Sequence, residues 1–166
     1  MKFNQRRENV AEKTSTAQTT ADALELVINR TFNAPRDLVW RAWTDPEMLK
    51  VWSAPRGFTI PRSEGELRIN GPWRATMVKP DGEELNLGGT YLEIVEPERL
   101  VFTHMWMDEN WNPTSPYSVC TVTLTARGNK TEMNFRQGGF ESEESRDGHS
   151  EGWIECFDKL EELLSA

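Results

Sequence analysis

Histidine is nearly absent from this chain: His104 and His149 are the only two. Without cysteines or carboxylates at ligand spacing beside them, they do not describe a metal centre. Cysteine is as scarce. Cys120 and Cys156 are too few and too far apart for a disulfide framework, and they read as reduced thiols of a cytoplasmic protein. No apolar run is long enough to span a membrane, and residues 1–20 are polar with no apolar stretch, so they do not read as a secretory signal. The phosphate-binding glycine loop, HExxH, CxxC and the nucleophile elbow are all missing. Neither a catalytic residue nor a cofactor is therefore expected. Excess basic charge is missing too. The net charge of −8 speaks against nucleic acid and anionic membranes as partners.

What the chain does have is large aromatic surface. Seven tryptophans and seven phenylalanines in 166 residues supply enough buried area for one core. Residues 1–21 carry no apolar periodicity and read as a disordered tail; 22–166 read as a single domain. A β-type run, 24–32, halts at Ala34-Pro35, and a short helix follows, with Asn33 placed to cap it and Pro35 in its first turn. Asp45-Pro46 ends that helix, because the residue before proline is pushed out of the α region. A second short helix, 47–52, stops at Ala54-Pro55.

Strand-like runs then follow at 58–63, 73–79, 89–95, 99–107, 118–126 and 131–137. Short turn signals such as Pro80-Asp81-Gly82 favour an antiparallel meander. Gly88-Gly89 and Gly138-Gly139 read as turn or bulge positions. The last segment changes period. Trp153, Cys156, Phe157, Leu160, Leu163 and Leu164 share one helical face. Gly148 and Gly152 weaken its first half, so its start falls anywhere from 142 to 150. From 141 onward nine acidic residues face two basic ones, nearly the whole excess. That acidic surface is solvated helix or a docking face for a protein partner.

Several stretches resemble a known family. Phe32-Asn33-Ala34-Pro35, Val39-Trp40-Arg41-Ala42-Trp43-Thr44 and Trp52 are similar to the opening signature of the START-like (SRPBCC, Bet v 1-like) superfamily. Within it they resemble the bacterial branch related to the C-terminal domain of the Hsp90 ATPase activator. Gly88-Gly89-Thr90-Tyr91, Arg99-Leu100-Val101-Phe102, Val122-Thr123-Leu124, Thr131-Glu132-Met133 and Gly152-Trp153 fit the same pattern. The resemblance implies an α+β helix-grip fold: a curved antiparallel sheet of six or seven strands wrapped round a long C-terminal helix, with two short helices after the first strand. It also implies a stress-response context and a hydrophobic ligand, although the fold alone hosts several functions.

A gap between helix and sheet is a natural pocket. The expected ligand-binding residues are Trp73, Met77, Tyr91, Phe102, His104, Trp106, Trp111, Tyr117 and Trp153. By alternation His104 shares a strand face with Leu100, Phe102 and Trp106. His104 and Tyr117 are the candidate polar anchors. His149 reads as a surface residue. The long loop 107–116 reads as a lid over the pocket mouth, with Trp111 partly exposed. The function expected is binding of a small hydrophobic molecule by a monomer or homodimer. Two alternatives stay open: a cyclase, dehydratase or hydrolase on a polyketide-like substrate, and a chaperone-regulator interaction module.

Overall fold

The structure is a computed structural model that describes residues 24–165; the expected disordered tail, residues 1–21, lies outside them. Strand β1 (Glu25–Phe32) is followed by helices α1 (Arg36–Thr44) and α2 (Pro46–Trp52). Six strands come next: β2 (Thr59–Gly65), β3 (Pro72–Val78), β4 (Glu84–Val95), β5 (Arg99–Met107), β6 (Ser118–Arg127) and β7 (Lys130–Gly138). Helix α3 (Glu143–Leu164) closes the chain. All seven strands form one antiparallel sheet in the order β1-β7-β6-β5-β4-β3-β2. This is the expected α+β helix-grip architecture, with two short helices after the first strand.

Local chemistry sets the element ends. The cap of α1 differs from expectation: Pro35, not Asn33, occupies the N-cap position, and no side chain caps the helix there. Proline fits at this end because its missing N–H would have had no helical partner. Asp45 does two jobs. Its N–H closes α1 on the Arg41 carbonyl, and its carboxylate accepts from Glu47 N–H to start α2. At α3 the Ser142 hydroxyl accepts from Ser145 N–H, while Glu143 and Glu144 sit at the positive end of the helix dipole.

Gly88 and Gly89 lie inside β4 rather than in a turn. A Cβ on Gly89 would stand 1.9 Å from the Thr103 carbonyl oxygen, and one on Gly88 2.7 Å from that of Trp73. The backbone of β4 comes this close to its neighbours just before its register against β5 shifts, between Tyr91 and Glu93. Glycine is required there by space.

The core lies between the sheet and the helices. Phe32, Trp52, Phe135, Phe157 and Leu160 are fully buried. The rings of Trp52, Phe135 and Phe157 interlock with Trp43 and Trp153: Trp43 meets Trp52 edge-on at 4.8 Å, and Phe135 lies 5.3 Å from Phe157. The two halves of α3 differ. Its C-terminal half sets Phe157, Leu160 and Leu164 into this core. Its N-terminal half carries Ser145, Gly148 and Gly152 on the sheet-facing side and cannot fill the space beneath.

Candidate functional site

Small residues on one half of a helix and a curved sheet beneath it leave a void. Here it is a cavity of about 460 Å³ between the N-terminal half of α3 and the inner face of β2–β5. Alternation along the strands sets its floor. Leu100, Phe102, His104 and Trp106 point inward from β5, and Trp73, Ala75 and Met77 from β3. Tyr91, Trp153 and Trp43 add further wall, and Ser63, Ala75, Gly148 and Gly152 leave the room.

Of the nine residues expected to bind ligand, seven line this cavity: Trp73, Met77, Tyr91, Phe102, His104, Trp106 and Trp153. Tyr117 does not. It is 59 % exposed and stands outside the lining, so it is no anchor. Trp111 is also elsewhere. It packs on the guanidinium groups of Arg74, 4.6 Å from the ring centre, and Arg62 at 5.7 Å. Those arginines leave β3 and β2 on the side away from Trp73 and Ser63, so Trp111 lies on the outer face of the sheet. The loop is not a lid over the mouth. Asp108 ties it down, its carboxylate accepting from the N–H groups of Asn110 and Asn112. Cation–π contact with two arginines explains the direction it takes.

Polar groups on the wall are few and placed. Trp73 Nε1 donates to the Thr103 carbonyl at 3.0 Å. Trp153 Nε1 donates to Gln137 Oε1 at 2.7 Å, Gln137 Nε2 to Ser118 Oγ at 2.8 Å, and Ser118 Oγ to the His104 carbonyl at 3.2 Å. Gln137 is fully buried. This chain of bonds locks the orientation of Trp153 on α3 to the backbone of His104 on β5. The indole N–H of Trp43, 3 % exposed, has no partner among the described residues. His104 is buried among Trp73, Trp106 and Trp153. Burial, with a smaller push from His149, lowers its pKa from 6.5 to about 3. At neutral pH its imidazole is uncharged and offers one donor and one acceptor.

His149 is the residue the sequence reading misplaced. It is half-buried on α3, lines the cavity, and its ring centre lies 5.8 Å from that of His104. The signal was in the spacing: 149, 153, 156 and 160 are four, three and four residues apart, which is one face of a helix. Trp43 is absent from the residues expected to bind ligand, because its wall position depends on how α1 packs across β6 and β7. Cys156 also touches the cavity, but burial pushes its thiol up to about 12, so it is not a thiolate nucleophile at neutral pH. Among the described residues no group of three or more metal-ligating side chains exists, and no helix is long and apolar enough to cross a membrane.

The acidic face of α3 is largely engaged within the protein. Arg30 bonds Asp158 at 2.9 Å and Glu161 at 2.8 Å. Arg56 pairs with Glu162, and its backbone N–H donates to Glu155.

Residues 33–165 match the family described as activator of Hsp90 ATPase homolog 1-like protein. Solved structures agree. A protein of Nitrosomonas europaea is 29 % identical, covering 86 % of this chain and 94 % of that one, with a TM-score of 0.72. One from Arthrobacter aurescens is 28 % identical over 90 % and 91 %, with a TM-score of 0.78. A Mycobacterium smegmatis protein is 26 % identical over 91 % and 96 %, with a TM-score of 0.77. No protein of curated function matches the sequence.

Proposed function

The chain belongs to the activator of Hsp90 ATPase homolog 1-like family, and from that premise we propose that it binds one small, largely apolar molecule between α3 and the sheet. The observation that carries this is the cavity of about 460 Å³, walled by aromatic side chains. Its size is within the range of small-molecule sites. Filled at the density of an organic liquid, it takes about 15 to 20 non-hydrogen atoms. The wall holds two histidines and no arginine or lysine. An anionic occupant would lose its hydration without meeting an opposite charge, and the one acidic lining residue, Glu144, is exposed at the rim, so a neutral occupant is favoured. The binding unit is the single domain 22–166. Both cysteines are free thiols, consistent with work in the cytoplasm.

Native mass spectrometry of freshly purified protein, set against its denatured mass, tests this directly. A reproducible small-molecule adduct is expected. Purified apo protein is also expected to take up the neutral fluorophore N-phenyl-1-naphthylamine, and the Gly148→Leu variant, which places a side chain at the cavity wall, to take up much less. No adduct and no uptake of the fluorophore by the apo protein overturns the reading.

A further inference from the structure

The two histidines add a chemical specification to that binding site, and it rests on the binding reading above. His149 Nδ1 stands 2.8 Å from the carbonyl oxygen of Ser145, one turn earlier in α3. A carbonyl only accepts, so in the neutral ring Nδ1 carries the proton and Nε2 is left as an acceptor. None of the described residues donates to that nitrogen. The ring is surrounded by Phe140 at 4.9 Å, Trp106 at 5.9 Å and His104 at 5.8 Å. Thus the helix backbone dictates an acceptor on one side of the cavity. The opposing His104, held in place through its backbone by Ser118, walls the other side of the cavity.

We infer that Nε2 of His149, opposite His104, is a hydroxyl-recognition subsite, and that the preferred occupant is a neutral aromatic or alicyclic alcohol. Its O–H donates to Nε2 of His149. Its apolar body lies against Trp73, Phe102 and Trp153. Unlike an ether or a ketone, a hydroxyl gives a hydrogen bond. An ether or ketone of the same shape leaves Nε2 of His149 desolvated and unpaired, which costs affinity. A carboxylate brings a charge past Glu144 at the rim and finds no cation within.

Equilibrium dialysis of the full chain at pH 8 against 2-naphthol, 2-methoxynaphthalene and naphthalene tests the subsite. The naphthol is expected to bind about tenfold more tightly than its methyl ether, the scale of one well-made hydrogen bond against an unpaired acceptor. In His149→Phe, which keeps a ring of similar size, the ratio is expected to fall to about one. Equal affinities for naphthol and ether in the native protein overturn the inference and leave the cavity reading standing. A preference that survives in His149→Phe overturns the assignment to His149. If none of the three compounds binds, the cavity reading falls and the subsite with it.

Discussion

His104 makes the folded protein sensitive to mild acid, by an amount that can be worked out. In the unfolded chain the ring protonates near its ordinary value of about 6.5. In the folded protein burial, assisted by the charge of His149, holds that event down to about 3. Between those values the unfolded state binds the extra proton and the folded state does not. The stability that His104 lends as a neutral group is therefore complete above pH 6.5 and is lost progressively as the pH falls toward 3. At pH 5.0 the loss is about 2 kcal/mol, one and a half pH units at roughly 1.4 kcal/mol each. Carboxylates titrate in the same range, so a control is needed. His104→Phe keeps a ring among Trp73, Trp106 and Trp153, and leaves the Ser118 bond to the backbone carbonyl in place. Urea unfolding followed by tryptophan fluorescence at pH 7.5 and 5.0 gives four free energies. The native protein is expected to lose about 2 kcal/mol more than His104→Phe between the two pH values. Equal losses would refute the argument and show that His104 is hydrated in the folded state.

Three substitutions probe the packing that shapes the cavity. Phe157→Ala removes a fully buried ring from between Trp43, Trp52, Phe135 and Trp153, and is expected to cost about 3 to 5 kcal/mol in urea unfolding. Gly89→Ala forces a methyl group against the Thr103 carbonyl, and a loss of at least about 3 kcal/mol, or no soluble protein, is expected on expression and melting. Gly148→Ala meets open space within a helix, so thermal unfolding is expected to show a gain of about 0.5 to 1 kcal/mol.

Much of the fold was legible because it depends on local pattern. The two prolines after β1, the turn signals between strands and the apolar face of α3 are each written within a few residues. Alternation also placed Leu100, Phe102, His104 and Trp106 together on the cavity floor. What could not be read depends on distant partners. The loop carrying Trp111 folds outward because Arg62 and Arg74, from strands far earlier, stand on that face. Tyr117 looked like an anchor by composition alone, yet nothing local says where such a loop residue points. Gly88-Gly89 carried the signature of a turn or a bulge, while its cause is the nearness of Thr103 and Trp73, just before the register shift between Tyr91 and Glu93. His149 was misread although it stands four residues before Trp153 and seven before Cys156, a spacing that puts it on the same helical face.

The strand order carries a kinetic meaning. β1 pairs with β7 from Glu25↔Gly138 to Phe32↔Thr131, so the earliest and latest strands of the sheet are neighbours. The other strands join through hairpins or short connections and can zip one after another. Closing a loop of roughly a hundred residues rather than one of four costs about 3 kcal/mol more in chain entropy. Such a contact is favourable only once the intervening strands have shortened the path between its ends. The seam between β1 and β7 is thus a late event in folding. Phe32 on β1 and Phe135 on β7 enter the core from either side of it, so the floor beneath α3 is complete only when the first and last strands of the chain have met.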